Sequence, residues 1–237
     1  MSKFNLEEIR KLHHQGHIAI VGNAPSMALR QTDDKGLTTN VITMDMSDYP
    51  YPIWTVNGGW HYHPKSVLGW KMDDLENGTR YGEHDQLEWY DRLMKNSSIP
   101  IIAPTEYKNY PALVRFPLED ILEFFAKRCR NTNFVYFTET ISYMFALAIY
   151  WGIKEIDLYG CDYHAEERFA YENHGANFWC GMATAFGIQI NISEMSHLMR
   201  FDLHEDFQPG FYGYLQKNFP LNLDEYAIKL EGLCQAS

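Results

Sequence analysis

Two loops carry the side chains best suited to chemistry. Gly160-Cys161-Asp162-Tyr163 places a thiol, a carboxylate and a phenol directly after the strand-like run Glu155–Tyr159. Gly22-Asn23-Ala24-Pro25-Ser26 places an amide and a hydroxyl directly after the apolar run His17–Val21. Both loops fall at the carboxyl end of a strand, where open α/β sheets bind ligands. If the chain turns into a helix at Pro25, which suits a first helical turn, the second loop exposes backbone N–H groups to a phosphate or another anion. Gly22 then permits close approach of the backbone, and Asn23 and Ser26 add side-chain hydrogen bonds. A plain capped turn has the same pattern, and the loop is neither a GxGxxG fingerprint nor a GxxxxGK[ST] loop, since no lysine follows. A third polar turn, Thr138-Glu139-Thr140, opens an apolar helix that stops at Gly152.

A group that takes a proton near neutral pH is best supplied by imidazole. His174 stands before the expected helix Ala176–Phe186, whose dipole would keep its ring neutral, and His164, beside Asp162-Tyr163, is the rival. His61 and His63, with His84 and Asp85, form a competing cluster, because His-x-His puts both rings on one face of a strand. No second ligand pair follows at a suitable spacing, so no metal site is expected. Asp162 is the best-placed carboxylate, Asp45 and Asp48 flank the end of a second strand, where they could hold a ribose or Mg²⁺, and Glu166-Glu167-Arg168 offers carboxylates to a metal–diphosphate, though a solvated helix start is the favoured reading. Trp54, Trp60, Tyr62, Trp70, Tyr81, Trp89 and Tyr90 offer flat rings for stacking or for the core.

The elements that must hold these groups follow from periodicity. Leu6, Ile9 and Leu12 mark a short amphipathic helix. Strands are expected at His17–Val21, Asn40–Met44, Ile53–Val56, Pro100–Ala103, Asn133–Phe137, Glu155–Tyr159 and Ile188–Ile192. Helices are expected at Leu118–Arg128, after Thr140, and at Ala176–Phe186. Strands alternating with long helices predict a doubly wound, mostly parallel sheet with helices on both faces. The stretch 60–98, rich in charge and aromatics, is expected to be a lid or an insertion, and 193–237 a peripheral segment of one domain spanning 1–237.

With 237 residues and 46% hydrophobic content, the chain has enough apolar surface for one sizeable core. Its 20 basic and 31 acidic residues give a net charge of −11, which argues against double-stranded nucleic acid as a partner. Cys129, Cys161, Cys180 and Cys234 show neither a disulfide framework nor CxxC spacing. The amino terminus lacks the apolar core of a signal peptide, and the longest apolar run, Ile141–Ile153, is too short to cross a bilayer. A cytoplasmic location is therefore expected, the host cytoplasm if the source is viral. Homo-oligomerisation is left open.

Taken in order, Val21-Gly22-Asn23-Ala24-Pro25-Ser26, a strand ending in Asn57, Thr138-Glu139-Thr140 with Tyr143, Met144 and Ala148 behind it, the run Gly152–Tyr163, and a later His174 resemble the bacterial sialyltransferases built on one Rossmann-like domain. The same order is similar to proteins related to the archaeal hydroxymethylpterin pyrophosphokinase. It is also similar to a group of tailed-phage glycosyltransferase-like proteins, which share a segment like Phe211–Tyr214.

The sialyltransferase resemblance implies an inverting glycosyltransferase using a CMP- or UDP-linked sugar, with no tightly bound cofactor and an acceptor left open. It implies that the Gly22, Asn23, Ala24 and Ser26 loop lies beside the donor's phosphate and sugar, and Asn57 against the nucleotide. Thr138, Glu139 and Thr140 would lie near base or ribose, Gly160, Cys161, Asp162 and Tyr163 near ribose and phosphate, with His174 as general base and His164 its rival. The pyrophosphokinase resemblance implies instead ATP and Mg²⁺, the metal held by Asp162, Asp45 or Glu167. A third reading is a nucleotide-binding phage protein without chemistry.

Overall fold

The computed structural model describes residues 2–13, 15–22, 46–73, 75, 91–129, 136–163, 170–192, 196, 198 and 199, and the backbone alone at 28–32, 38–42 and 170–171. The chain divides into two compact units, Met1–Met199 and Arg200–Ser237. The second lies outside the described residues, as do Phe211–Tyr214, His84, Asp85, Asp45, Tyr81, Trp89 and Tyr90.

The first unit is built on a seven-stranded sheet. Its strands are β1 (His17–Val21), β4 (Ile53–Val56), β5 (Ser66–Trp70), β6 (Ile101–Ala103), β7 (Leu113–Arg115), β8 (Glu155–Tyr159) and β9 (Gln189–Ile192). They run in the spatial order β7-β6-β5-β4-β1-β8-β9, and every neighbouring pair is parallel. The chain leaves β1 toward β7, then returns to lay β8 on β1's other side. That reversal makes the carboxyl ends of β1 and β8 the switch point of the sheet. The fold is the expected α/β class.

Period-2 alternation sorts the strand residues between the two faces. Ile18, Ile20, Trp54, Val56, Leu68, Trp70, Ile156 and Leu158 enter the main core. There they meet α1 (Leu6–Lys11), α2 (Leu118–Cys129), α3 (Thr140–Trp151) and α4 (Ala170–Ala185). On the opposite face Ala19, Val21 and Ile53 pack with Met46 and Tyr49, and Ile101, Ala103 and Leu113 pack with Met94 of a helical turn at 91–95. The helix α3 is apolar nearly all round and buried over most of its length, from Ile141 to Trp151. Its start is capped by the Glu139 carboxylate, which accepts from the Ile141 and Ser142 N–H groups. Gly152 ends it in the left-handed region at φ 76°.

Four expectations are corrected. Ala28–Thr32 (β2) pairs antiparallel with Thr38–Ile42 (β3) in a separate two-stranded sheet, so Asn40–Ile42 of the Asn40–Met44 run is no strand of the main sheet, while Pro25, the expected start of a helix, lies outside the described residues. The β-prone Thr38-Thr39-Asn40-Val41-Ile42 arm and the polar Asp33-Asp34-Lys35-Gly36 between the two runs are hairpin signals. Tyr136 and Phe137 are not strand, and residues 133–135 lie outside the described residues. Ser66–Trp70, inside the stretch read as a lid or insertion, is a central strand of the sheet. Finally, α4 begins at Ala170, six residues before the expected start.

Candidate functional site

At the switch point the backbones after β1 and β8 touch. The Gly22 N–H donates to the Tyr159 carbonyl at 2.8 Å. A Cβ built on Gly22 would stand 2.2 Å from the Gly160 carbonyl oxygen and 3.2 Å from Cys161 Sγ. No side chain fits there, which is the close approach expected of Gly22. Beyond this contact the chain turns sharply: Gly160 has φ 63° and Tyr163 φ 47°, the latter costly for an aromatic residue and held only where its surroundings over-determine it. Asn57, at the end of β4, is likewise left-handed at φ 49°, and its N–H donates to the Trp70 carbonyl at 3.0 Å. Left-handed residues thus end two of the central strands on the crevice side.

The Tyr163 ring is fixed from beneath. Its hydroxyl donates to the Glu139 carboxylate, which also accepts from Ser142 N at 2.6 Å and Ser142 Oγ at 2.5 Å. By residue area Glu139 is half-buried, but its carboxylate is the enclosed end. Burial pushes its pKa up to about 7, against the Ser142 hydroxyl, the Ile141 and Ser142 amides and the Tyr163 hydroxyl, which pull it down. Burial first and then the charge of Glu139 push the Tyr163 phenol well up. The same two causes push the Cys161 thiol up, so it stays protonated and inert at neutral pH. Ser196 Oγ donates to the Cys161 carbonyl at 2.5 Å, tying the segment after β9 to this loop. Asp162 is buried at 2% exposure.

The third wall is the contact between α4 and the start of α3. A Cβ on Gly175 would lie 1.8 Å from Thr138 Oγ1 and 3.1 Å from Ser142 Oγ. Thr138 Oγ1 is buried without a hydrogen-bond partner among the described residues, a donor and acceptor left for something else. His174, the residue before this contact, is exposed. It lies inside α4, in its second turn, and not ahead of a helix, so the dipole argument for its ring does not hold.

Of the residues singled out from sequence, Gly22, Gly160, Cys161, Asp162, Tyr163, Thr138, Glu139 and Thr140 come together around β1, β8 and the start of α3. His174 lies beside them on α4, and Asn57 stands one strand away on β4. Asn23, Ala24, Ser26, His164 and Glu166-Glu167-Arg168 lie outside the described residues. His61 closes a 3-10 turn and is exposed, whereas His63 precedes β5, is buried, and has its pKa lowered by that burial. The two rings therefore do not share a strand face. A small pocket lined by Met46, Ser47, Ile53, Tyr62, His63, Pro64 and Lys65 lies at the opposite, amino ends of β4 and β5. Trp54 and Trp70 are core rings.

Sequence reading missed Lys71. It follows β5 at the crevice end of the sheet, is buried at 4% exposure, and pairs with Asp73 at 2.5 Å. Its signal was a lysine closing an otherwise apolar Ser-Val-Leu-Gly-Trp run. Reading also missed a polar group on the outer face of β1 and β8, His17, Glu155 and Asp157, which only the pairing of those strands assembles.

No protein-family profile matches the chain, and no curated protein matches it. Among solved structures it is similar to an α-2,3-sialyltransferase from Campylobacter jejuni in its apo form, at 16% identity and a TM-score of 0.45, covering 92% of this chain and 95% of that one. It is also similar to the C. jejuni sialyltransferase CstII in complex with CMP, at 16% identity and a TM-score of 0.42, covering 79% and 81%. CstII with CMP-3FNeuAc matches at 16% identity and a TM-score of 0.40, covering 74% and 79%. Likenesses this distant leave the reading of the site to the chain's own residues.

Proposed function

We propose that the chain is a glycosyltransferase that transfers a sugar from a CMP- or UDP-linked donor to a hydroxyl acceptor with inversion. The observation that carries this is the crevice at the β1/β8 switch point. There Gly22 and Gly160 bring two backbones together with no room for a Cβ, and polar groups from two further elements close around them. The order of motifs supplies the reaction class, and the crevice supplies a place for it.

In this reading the loop beginning at Gly22, with Asn23 and Ser26, receives the phosphate, and Asn57 meets the nucleotide. The unpartnered Thr138 hydroxyl and the Thr140 side chain, on the turn that Glu139 caps, receive base or ribose. Gly160, Asp162 and Tyr163 border ribose and phosphate. His174 accepts the proton of the acceptor hydroxyl as its oxygen attacks the anomeric carbon. The bond from that carbon to the phosphate oxygen breaks, and the nucleotide leaves with the electron pair. An exposed imidazole is reachable by an acceptor from solvent, and general-base assistance of this kind contributes roughly 10²–10⁴-fold.

Thermal-shift measurements with CMP, UDP, GDP and ATP, each with and without Mg²⁺, test the reading through mass action on the folded state. The expected result is a rise in melting temperature with CMP or UDP that does not require Mg²⁺. A rise confined to ATP with Mg²⁺ would replace the reading with the pyrophosphokinase one, and no rise with any nucleotide would remove it.

A further inference from the structure

A second group of polar side chains stands on the face of the sheet away from the main core. Strand register puts His17 opposite Glu155, and Asp157 opposite Ala19 on one side and Asn191 on the other. By the two-residue period of a strand, His17, Glu155, Asp157, Gln189 and Asn191 all share that face. His17 Nε2 lies 3.0 Å from Asp157 Oδ2, and its Nδ1 lies 3.4 Å from Glu155 Oε2. Asn191 Nδ2 donates to Asp157 Oδ1 at 2.6 Å and to Glu155 Oε1 at 2.9 Å. The Tyr49 hydroxyl donates to Asp157 Oδ2, and Tyr51 stacks on the His17 ring at 3.8 Å.

Two features of this arrangement call for a cation. Each ring nitrogen of His17 faces a carboxylate oxygen, so the group brings one imidazole and two carboxylates together. Among the described residues no lysine or arginine joins the group. Two carboxylates, with side chains 33% and 13% exposed, share the group with one histidine. The lysine and arginine ion pairs among the described residues are Lys71–Asp73, Lys95–Asp91, Arg115–Glu119 and Lys127–Glu123, and none reaches Glu155 or Asp157. Partly buried like charges repel, and a cation shared between them relieves that repulsion.

We propose that His17, Glu155 and Asp157 form a binding site for one first-row divalent cation, Zn²⁺ or Mn²⁺, that joins β1 to β8. One ligand atom from each residue lies within 4.8 Å of the other two. Ligands of a tetrahedral Zn²⁺ stand roughly 3.4 Å apart, so Glu155, the most exposed of the three, would turn its carboxylate inward to close the site. One imidazole nitrogen with two carboxylates suits Zn²⁺ or Mn²⁺ over Mg²⁺, which prefers oxygen and water. The ligands sit on paired strands, and Asn191 and Tyr49 orient Asp157 from outside, the support that metal-binding carboxylates need. His17 and Glu155 open their strands, so the cation holds the sheet at the end away from the nucleotide crevice.

The test is calorimetric titration of ZnCl₂ into the full chain after EDTA treatment, with Co²⁺ absorption in the visible as a direct report of ligand type. The expected result is one ion per chain and a tetrahedral Co²⁺ spectrum, with affinity lowered by roughly tenfold or more in His17→Gln, Asp157→Asn and Glu155→Gln. Absence of stoichiometric binding to the parent chain would overturn the proposal. Unchanged affinity in all three variants would place the ion elsewhere among the ten histidines and would overturn it equally. If circular dichroism shows His17→Gln or Asp157→Asn unfolded, Glu155→Gln decides, since it alters the most exposed ligand. A nucleotide thermal shift that persists in Glu155→Gln separates this site from the crevice.

Discussion

The carbonyl oxygen of Gly160 occupies the space that a Cβ on Gly22 would need, 2.2 Å from its ideal position. Because the obstacle is backbone, it does not swing aside. Gly22→Ala is expected to destabilise the chain by about 1–3 kcal/mol, the cost of overpacking a close contact, and to abolish any nucleotide-induced thermal shift. Gly181, in the middle of α4 with nothing within 4 Å of its built Cβ, is the control: Gly181→Ala should gain up to about 1 kcal/mol of helix stability. Equal urea midpoints for the two variants would refute the close approach.

Glu139 makes stability depend on pH in the direction opposite to most carboxylates. Its folded pKa, about 7, lies above the ordinary 4.5, so between those values the unfolded chain has released a proton that the folded chain keeps. Stability from this group is fully present below pH 4.5 and is lost as pH rises to 7, by about 3 kcal/mol in all. His13 acts in the other sense. Buried, with its ring between the Ile9 carbonyl and the Trp54 indole N–H, it has its pKa lowered to about 4 and loses its contribution as pH falls below 6.5. Comparing the parent with Glu139→Gln cancels His13. The parent's stability relative to the variant should be about 2 kcal/mol greater at pH 5 than at pH 8, and a flat difference would refute the raised pKa.

Gly175 and Thr138 should be energetically coupled. A Cβ on Gly175 falls 1.8 Å from Thr138 Oγ1 and 3.0 Å from Thr138 Cβ, so Gly175→Ala should cost about 1–3 kcal/mol. Thr138→Ala removes the nearest atom, and the double variant should recover about 1 kcal/mol beyond additivity. Strict additivity in chemical denaturation would mean that α4 does not rest on the start of α3 here.

His174→Ala should leave nucleotide binding and melting temperature nearly unchanged, since the side chain is exposed, while lowering turnover by roughly 10²–10⁴-fold. Release of CMP or UDP from the sugar donor, measured once an acceptor is found, checks this. His164→Ala is expected to have the smaller effect, and the reverse order would make His164 the base.

Where sequence and structure part is visible at α4 and β5. The first turns of α4 include Asn173, His174 and Gly175, residues of poor or indifferent helix propensity and no apolar stripe, so periodicity starts the helix at Ala176. The glycine that weakens the helix locally is the one that lets α3 approach, and packing outweighs propensity. Strand β5 was hidden because Ser66–Trp70 is short and sits between charged, aromatic segments. Its pairing on both edges comes from β4 and β6.

By itself the sequence determined what local chemistry determines. The apolar α3, the polar Thr138–Thr140 turn that opens it and its Gly152 stop, the buried runs of β1, β4 and β8, and the polar loops after them were all legible, because periodicity, stop signals and burial leave their mark within a dozen residues. The tertiary structure alone decided which strands are neighbours. The contact of Gly22 with Gly160, the enclosure of the Glu139 carboxylate by Tyr163, and the grouping of His17 with Glu155 and Asp157 each join segments far apart in the chain. Their juxtaposition depends on strand order and register, which follow from how the whole hydrophobic surface is buried at once and leave no trace in any one stretch of residues.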